Sequence, residues 1–103
     1  MSIDIARERS DGSKFLHAIS SQNFYDSCWA VGIKENNLLL LHEYSEFSAE
    51  DIDEVLKQLN ILKAWAEKQL SPADFERMAE RIEQLKLWLP IECENEGGNF
   101  YYI

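Results

Sequence analysis

The sequence predicts an α+β domain in which a small antiparallel β-sheet carries an antiparallel two-helix hairpin on one face. Two observations lead to this fold class. In the second half of the chain, apolar residues recur at three- and four-residue spacing, which is typical of amphipathic helices. In the first half and at the end, short stretches rich in apolar and aromatic residues are separated by turn residues, which is typical of strands. The 103 residues contain no internal repeat and no linker, so residues 1–103 are expected to form a single domain.

Two strands are predicted near the N-terminus. Ile3 and Ile5 alternate with polar residues, and Asp11-Gly12 is a typical turn that precedes residues 14–19. Three apolar residues in that second segment would also suit one face of a helix. A helix over 14–19 therefore stays open as the alternative.

A β-hairpin is predicted over residues 27–34 and 38–44. Trp29, Val31 and Ile33 occupy every second position of the first segment. The polar residues 35–37 include two asparagines, which tolerate the left-handed conformation of turns. Residues 38–41 are four consecutive leucines, a run too short for a helix, which suggests a strand that is covered on both faces.

Two helices are predicted over about 49–69 and 72–88. Ser48 and Asp51 have the spacing of a helix N-cap, and Ser71 stands before a proline at the first helical position. Pro90 is expected to end the second helix. Because the connection is short, the two helices should form an antiparallel hairpin. A last strand is predicted over 99–103, where aromatic residues follow two glycines.

The charge excludes two classes of function. The chain has 19 acidic and 10 basic residues, a formal net charge of −9 at pH 7. Proteins neutralise nucleic-acid phosphates with Lys and Arg, and membrane surfaces attract the same residues or need a lipid anchor. The sequence shows neither a stripe of basic residues nor a lipid-anchor motif. We therefore expect no direct binding to nucleic acid or membrane. Residues 1–9 lack the apolar core of a signal peptide, so a cytoplasmic location is expected.

Residues that commonly carry chemistry are few. His17 and His42 do not stand at a metal-binding spacing, and neither do Cys28 and Cys93. The carboxylates on both sides of Cys93 are expected to raise the pKa of its thiol, the wrong direction for a nucleophile. In a reducing compartment the two cysteines should be free thiols. We therefore expect no enzymatic activity, no cofactor and no metal site.

The acidic residues are unevenly distributed. Residues 35–56 contain seven acidic residues and no basic one, and residues 87–103 contain three acidic residues and no basic one. The rest of the chain is nearly balanced. The acidity is therefore local, and the candidate partner-binding carboxylates in these stretches are Glu43, Glu46, Glu50, Asp51, Asp53, Glu54, Glu92, Glu94 and Glu96.

Two interpretations of the acidic residues 43–54 are possible. Acidic side chains in a first helical turn favour the positive end of the helix dipole, by about 0.3–1 kcal/mol each. This explains Glu50 and Asp51 and leaves Asp53 open to either interpretation. It does not explain Glu43, Glu46 or the separate residues 92–96, nor the local absence of compensating bases. The alternative is an acidic face that binds a partner.

An apolar pair interrupts the polar side of the first predicted helix. Ile61 and Trp65 are four residues apart and fall opposite the apolar face that is centred near Leu59. Another element, such as the strand predicted over 99–103, would have to cover them. Otherwise they form an exposed patch beside the acidic residues, and such patches mark interfaces.

In size, acidity, lack of an export signal and lack of catalytic groups, the chain resembles the small cytoplasmic immunity proteins of bacterial toxin systems, such as contact-dependent growth inhibition. The resemblance covers the whole chain as a profile and includes no shared motif. It implies a monomer or weak dimer that binds and neutralises a basic protein toxin. A nuclease is the expected class, because basic proteins most often act on nucleic acids. The alternatives are a nucleic-acid mimic that inhibits a host-defence protein and a homodimeric adaptor that pairs through Ile61 and Trp65.

Overall fold

The computed structural model describes residues 2–103 and has the predicted α+β architecture. Four antiparallel strands form one sheet in the order β2-β1-β4-β3. Their bounds are Ser2–Glu8 for β1, Lys14–Ser21 for β2, Glu46–Phe47 for β3 and Phe100–Tyr102 for β4. Gly12 has a φ of 90° in the turn between β1 and β2, a conformation that favours glycine. The two N-terminal strands and the last strand are confirmed, and the helical alternative for 14–19 is wrong.

Residues 22–35 form a helix, α1, where the sequence predicted the first strand of a hairpin. It consists of an α-helical turn Gln22–Phe24, a π-helical turn Tyr25–Trp29 and an α-helical segment Ala30–Glu35. The prediction was wrong because it followed only alternate positions. The buried residues recur at three- and four-residue spacing, as a helix requires, and Val31 is exposed. They are Tyr25, Cys28, Trp29, Gly32 and Ile33.

The predicted second strand of that hairpin, 38–44, is also wrong. Asn37 has a φ of 54°, which ends α1, and Leu39–Leu41 form a 3₁₀ turn. Leucine is not β-branched, so the run has little intrinsic preference for a strand. Leu38 and Leu41 are buried while Leu39 is exposed, so the segment covers the core from one side only.

The helical hairpin is confirmed with small changes at its ends. A 3₁₀ turn Ala49–Asp51 leads into α2, Ile52–Gln69, and α3 covers Pro72–Glu92. Ser48 and Asp51 form the capping box, and Ser71 caps α3. The expected end of α3 at residue 88 is wrong, because the helix continues through Pro90. Proline removes one backbone donor, and the burial of Leu89 and Glu92 on either side holds the last turn in place.

One hydrophobic core joins the inner face of the sheet to the three helices. Ile5 of β1 lies in it with Phe47 and Phe100, whose rings stack with centroids 4.9 Å apart. Leu59 of α2 and Leu85 of α3 belong to the same core. Among the helices of residues 2–103, none combines the length and the apolar character that crossing a membrane requires.

Tyr25 connects α1 to the 3₁₀ turn Leu39–Leu41, which we call the leucine turn. Its buried hydroxyl donates a hydrogen bond of 2.9 Å to the Leu41 carbonyl. We expect Tyr25→Phe to lower the free energy of unfolding by about 1 kcal/mol at neutral pH, because that carbonyl loses its donor. Burial, with a smaller effect of the Glu43 charge, raises the pKa of Tyr25 above its ordinary value of 10.0. The stabilisation is therefore complete below pH 10 and is lost as the pH rises further.

Urea denaturation of the wild type and of Tyr25→Phe between about pH 7 and pH 11 checks this expectation. The difference in stability should shrink in the alkaline range, because ionisation of the Tyr25 phenol, which the folded state disfavours, occurs only in the wild type. Tyr44→Phe is the control at neutral pH, since Tyr44 is exposed and its hydroxyl makes no hydrogen bond within residues 2–103. A constant difference across the range would contradict the expectation.

Candidate protein-binding surface

Six carboxylates lie on the segment 43–54, which leads into α2, and form what we call the acidic surface. Its members come from the loop before β3, from β3 itself, from the 3₁₀ turn Ala49–Asp51 and from the first turn of α2. All are exposed except Glu43, which is half-buried. The set is Glu43, Glu46, Glu50, Asp51, Asp53 and Glu54.

The local sequence fixes the backbone that carries these groups. The Asp51 carboxylate accepts hydrogen bonds from the Ser48 backbone N–H at 3.0 Å and the Ser48 hydroxyl at 3.2 Å. Glu54 accepts one from the Gln58 amide at 3.3 Å, and Gln58 in turn accepts from the Leu40 N–H at 3.0 Å. The surface is thus tied to both the helix start and the leucine turn.

The charge of the acidic surface is not compensated locally. The ion pairs found within residues 2–103 involve only Glu83 and Glu92 as acids, so no member of the acidic surface has a Lys or Arg partner. Glu50 and Asp53 make no side-chain hydrogen bond to another described residue. Their carboxylates are hydrated and available to a cationic partner.

The C-terminal strand reaches the acidic surface at Glu46. Pairing of β3 with β4 sets Glu46 opposite Tyr101, and the Asn99 amide donates a hydrogen bond of 3.3 Å to the Glu46 carboxylate. Glu8 and Glu46 also line one shallow cavity of about 420 Å³. Glu94 and Glu96 are exposed on the segment that leads from α3 to this cavity.

Glu92 does not belong to a binding surface, and its prediction as a partner-binding residue is wrong. Its side chain is 3% exposed. It lies 3.2 Å from the Arg7 guanidinium and 2.6 Å from that of Arg9. Hydrogen bonds from Arg9, more than those from Arg7, lower the pKa of Glu92. The residue therefore serves the fold, joining the end of α3 to β1.

Ile61 and Trp65 do not form the exposed patch that was one alternative. Trp65 is half-buried beneath α1, packs at Gly32, and donates a hydrogen bond of 2.7 Å from its indole N–H to Glu35. The covering element is therefore α1 and not the C-terminal strand. Ile61 is 38% exposed, but Trp65 is covered and does not extend it into an apolar patch. An adaptor that pairs through both residues therefore has no support from this surface.

Two exposed apolar residues that the sequence analysis missed come from the segment 38–44, and one of them, Tyr44, directly follows Glu43 of the acidic surface. Tyr44 is 86% exposed and Leu39 is 64% exposed. Hydrogen bonds from the Ser45 N–H and hydroxyl to the His42 carbonyl, 2.9 and 2.7 Å, hold the turn that presents Tyr44. The predicted strand over 38–44 was expected to be covered on both faces, so the exposure of Leu39 and Tyr44 was not predicted. The available signal was polar residues at 42, 43, 45 and 46, which is typical of a loop.

Groups that commonly carry chemistry are dispersed. Both cysteines are free, Cys28 buried and Cys93 half-buried, and burial raises the pKa of Cys93 more than the charge of Glu92 does. Over the described part of the chain, no three His, Cys, Asp or Glu side chains gather as metal ligands would.

Comparison of the chain with protein-family models, with curated proteins and with solved structures finds no match in any of the three. The geometry of the acidic surface and the physical chemistry of its groups are therefore the basis for assigning a function.

Proposed function

We propose that this protein binds and neutralises a basic protein toxin, in the manner of a small immunity protein, through the acidic surface. The observation that carries the proposal is a set of six carboxylates on one continuous segment, none of which has a cationic partner within residues 2–103. Helix capping accounts for Asp51 and favours Glu50 and Asp53. It gives no reason for Glu43 and Glu46, which lie before the cap.

The arrangement suits rapid recognition of a basic protein. Clustered like charges repel one another and oppose folding, whereas a partner with matching Lys and Arg residues removes that repulsion on binding. Complementary charge also raises the association rate by orders of magnitude at low salt. A toxin inhibitor needs such speed, because the toxin acts as soon as it is free.

Tyr44 supplies the apolar contact that charge alone lacks. Tyrosine is enriched among the residues that dominate binding energy, especially where polar groups surround it. Tyr44 stands between Glu43 and Glu46 in the sequence and is almost fully exposed. We propose a nuclease as the class of toxin, since a protein that handles nucleic acid carries the basic surface that this site would match.

The test measures association with the protein that the chain captures from extracts of its own cells, after that protein is purified. The triple variant Glu46→Lys, Glu50→Lys, Asp53→Lys should associate at least about tenfold more slowly at low salt than the wild type. The wild-type rate should also fall as salt is added. If the partner degrades nucleic acid, the wild-type chain should stop the degradation.

A matched control separates the site from the total charge. The variant Asp26→Lys, Glu67→Lys, Glu76→Lys changes three exposed acids elsewhere, so both triple variants go from −9 to −3. Its association rate should stay near that of the wild type. A captured partner that is not basic, or equal rates for the two variants, would show that the acidic surface is not the binding site.

A further inference from the structure

A groove of about 400 Å³ lies where the end of β2, the start of α1 and the middle of α3 meet. Its volume is in the range of roughly 300–1,000 Å³ that is typical of small-molecule sites. It is lined by hydroxyl groups, two guanidinium groups and two aromatic rings, from Ser2, Ser20, Ser21, Arg77, Arg81, Phe24 and Trp29. None of these residues belongs to the acidic surface, so the proposed function leaves the groove unexplained.

The two arginines give this groove a positive character in an acidic protein. Arg77 and Arg81 are four residues apart on α3 and therefore project from the same side of the helix. Neither forms an ion pair with a carboxylate within residues 2–103. The Arg77 guanidinium lies 4.5 Å from the centre of the Phe24 ring, and Arg81 donates a hydrogen bond of 3.2 Å to Gln84. Most of their N–H donors remain free.

Trp29 lines the same groove with its ring. The residue is 2% exposed, and its indole N–H is the one buried side-chain polar atom of residues 2–103 that has no hydrogen-bond partner. An orphaned buried donor is costly. Trp29 lines two cavities, and the other one has apolar walls and a volume of about 10 Å³. Because Trp29 forms part of the groove wall, its indole resonance can report on what occupies the groove.

We propose that this groove binds a small organic anion, with its phosphate or carboxylate head at Arg77 and Arg81 and its apolar part against Phe24. Guanidinium groups bind oxyanions through paired, charge-assisted hydrogen bonds. The serine hydroxyls of β2 offer additional donors. Glu80, which lies between the two arginines in the sequence and also lines the groove, opposes the anion and limits its affinity.

The test follows the indole N–H resonance of Trp29 in ¹⁵N-labelled full-length protein. Trp65→Phe and Trp88→Phe identify the other two of the three tryptophan resonances. Phenyl phosphate, benzoate and inorganic phosphate are titrated at constant ionic strength. Saturable shifts below about 10 mM are expected for at least one of the first two. Saturation by phenyl phosphate alone identifies a phosphate ligand, and saturation by benzoate alone identifies a carboxylate.

Three variants locate the binding site. Arg77→Gln and Arg81→Gln should each weaken binding of the saturating probe about tenfold or more. Glu80→Gln should strengthen it severalfold, because the competing carboxylate is removed. Lys68→Gln, an exposed change of the same charge on α2, should leave it unchanged. The proposal is overturned if neither organic probe saturates, or if Arg77→Gln and Lys68→Gln bind equally well.

Discussion

Replacing Glu92 by alanine is expected to lower the free energy of unfolding by about 3–5 kcal/mol, the usual cost of leaving a buried charge without its counter-ion. The Arg7 side chain is as inaccessible as that of Glu92. Its guanidinium lies 4.9 Å from the centre of the Phe100 ring, so an uncompensated cation would remain at the end of the core. A domain of this size has a total stability of about 5–15 kcal/mol, so the variant should lose a large part of it.

The same interaction gives the stability a defined dependence on pH. Because Arg9 and Arg7 lower the pKa of Glu92 below its ordinary value of 4.5, the stabilisation is complete above that pH. It is lost as the pH falls through the lower, folded-state pKa. Glu92→Gln keeps the volume but not the charge. The stability difference between wild type and Glu92→Gln should therefore be largest near neutral pH and shrink toward about pH 3.

Chemical denaturation at a series of pH values measures both effects. Glu83→Ala is the matched control, because Glu83 also contacts two cations, Lys63 and Lys86, but is half exposed. Its loss should cost at most about 1 kcal/mol. A cost for Glu92→Ala as small as that of Glu83→Ala, or a Glu92→Gln difference that does not change with pH, would contradict the role assigned to this carboxylate.

The contrast between these two glutamates shows what could be predicted from the sequence. The helical hairpin was predictable because its signals are local: Ser48 with Asp51, Ser71 before a proline, and apolar residues at helical spacing. The role of Glu92 was not, because its partners Arg7 and Arg9 lie 85 and 83 residues away. A carboxylate that is followed closely by two other acidic residues, Glu94 and Glu96, looks like part of a charged surface until the fold brings two arginines to it.

Residues 22–44 were misassigned for a different physical reason. Trp29, Val31 and Ile33 alternate as in a strand, yet Tyr25, Trp29 and Ile33 repeat every four residues as in a helix. Tertiary packing decides between two such patterns. The concentration of acidic charge in 35–56 is visible in the sequence itself, whereas the exposure of Tyr44 depends on the turn that replaced the predicted strand.

Gly32→Val is expected to destabilise the protein by about 1–3 kcal/mol, the usual cost of overpacking a filled core. A Cβ at position 32 would lie 2.5 Å from Cε3 of Trp65 and 2.6 Å from Cδ1 of Leu62. Leu62 is fully buried and has no room to move. Trp65 would have to swing away and break its 2.7 Å hydrogen bond to Glu35. Gly32→Ala should cost less, since alanine favours a helix by roughly 0.5–1 kcal/mol over glycine.

Urea denaturation of two further variants shows whether the contact itself is responsible. Gly98→Ala is the control, because a Cβ there meets only one atom, at an ordinary distance of 3.9 Å, and should change stability by no more than about 0.5 kcal/mol. In a Trp65→Leu background, Gly32→Ala should cost less than in the wild type, because the nearest obstacle is gone. Equal costs in the two backgrounds would mean that α1 is not held against α2 through this glycine. Since α1 also positions the leucine turn through Tyr25, the Gly32 contact indirectly supports the loop that presents Tyr44 beside the acidic surface.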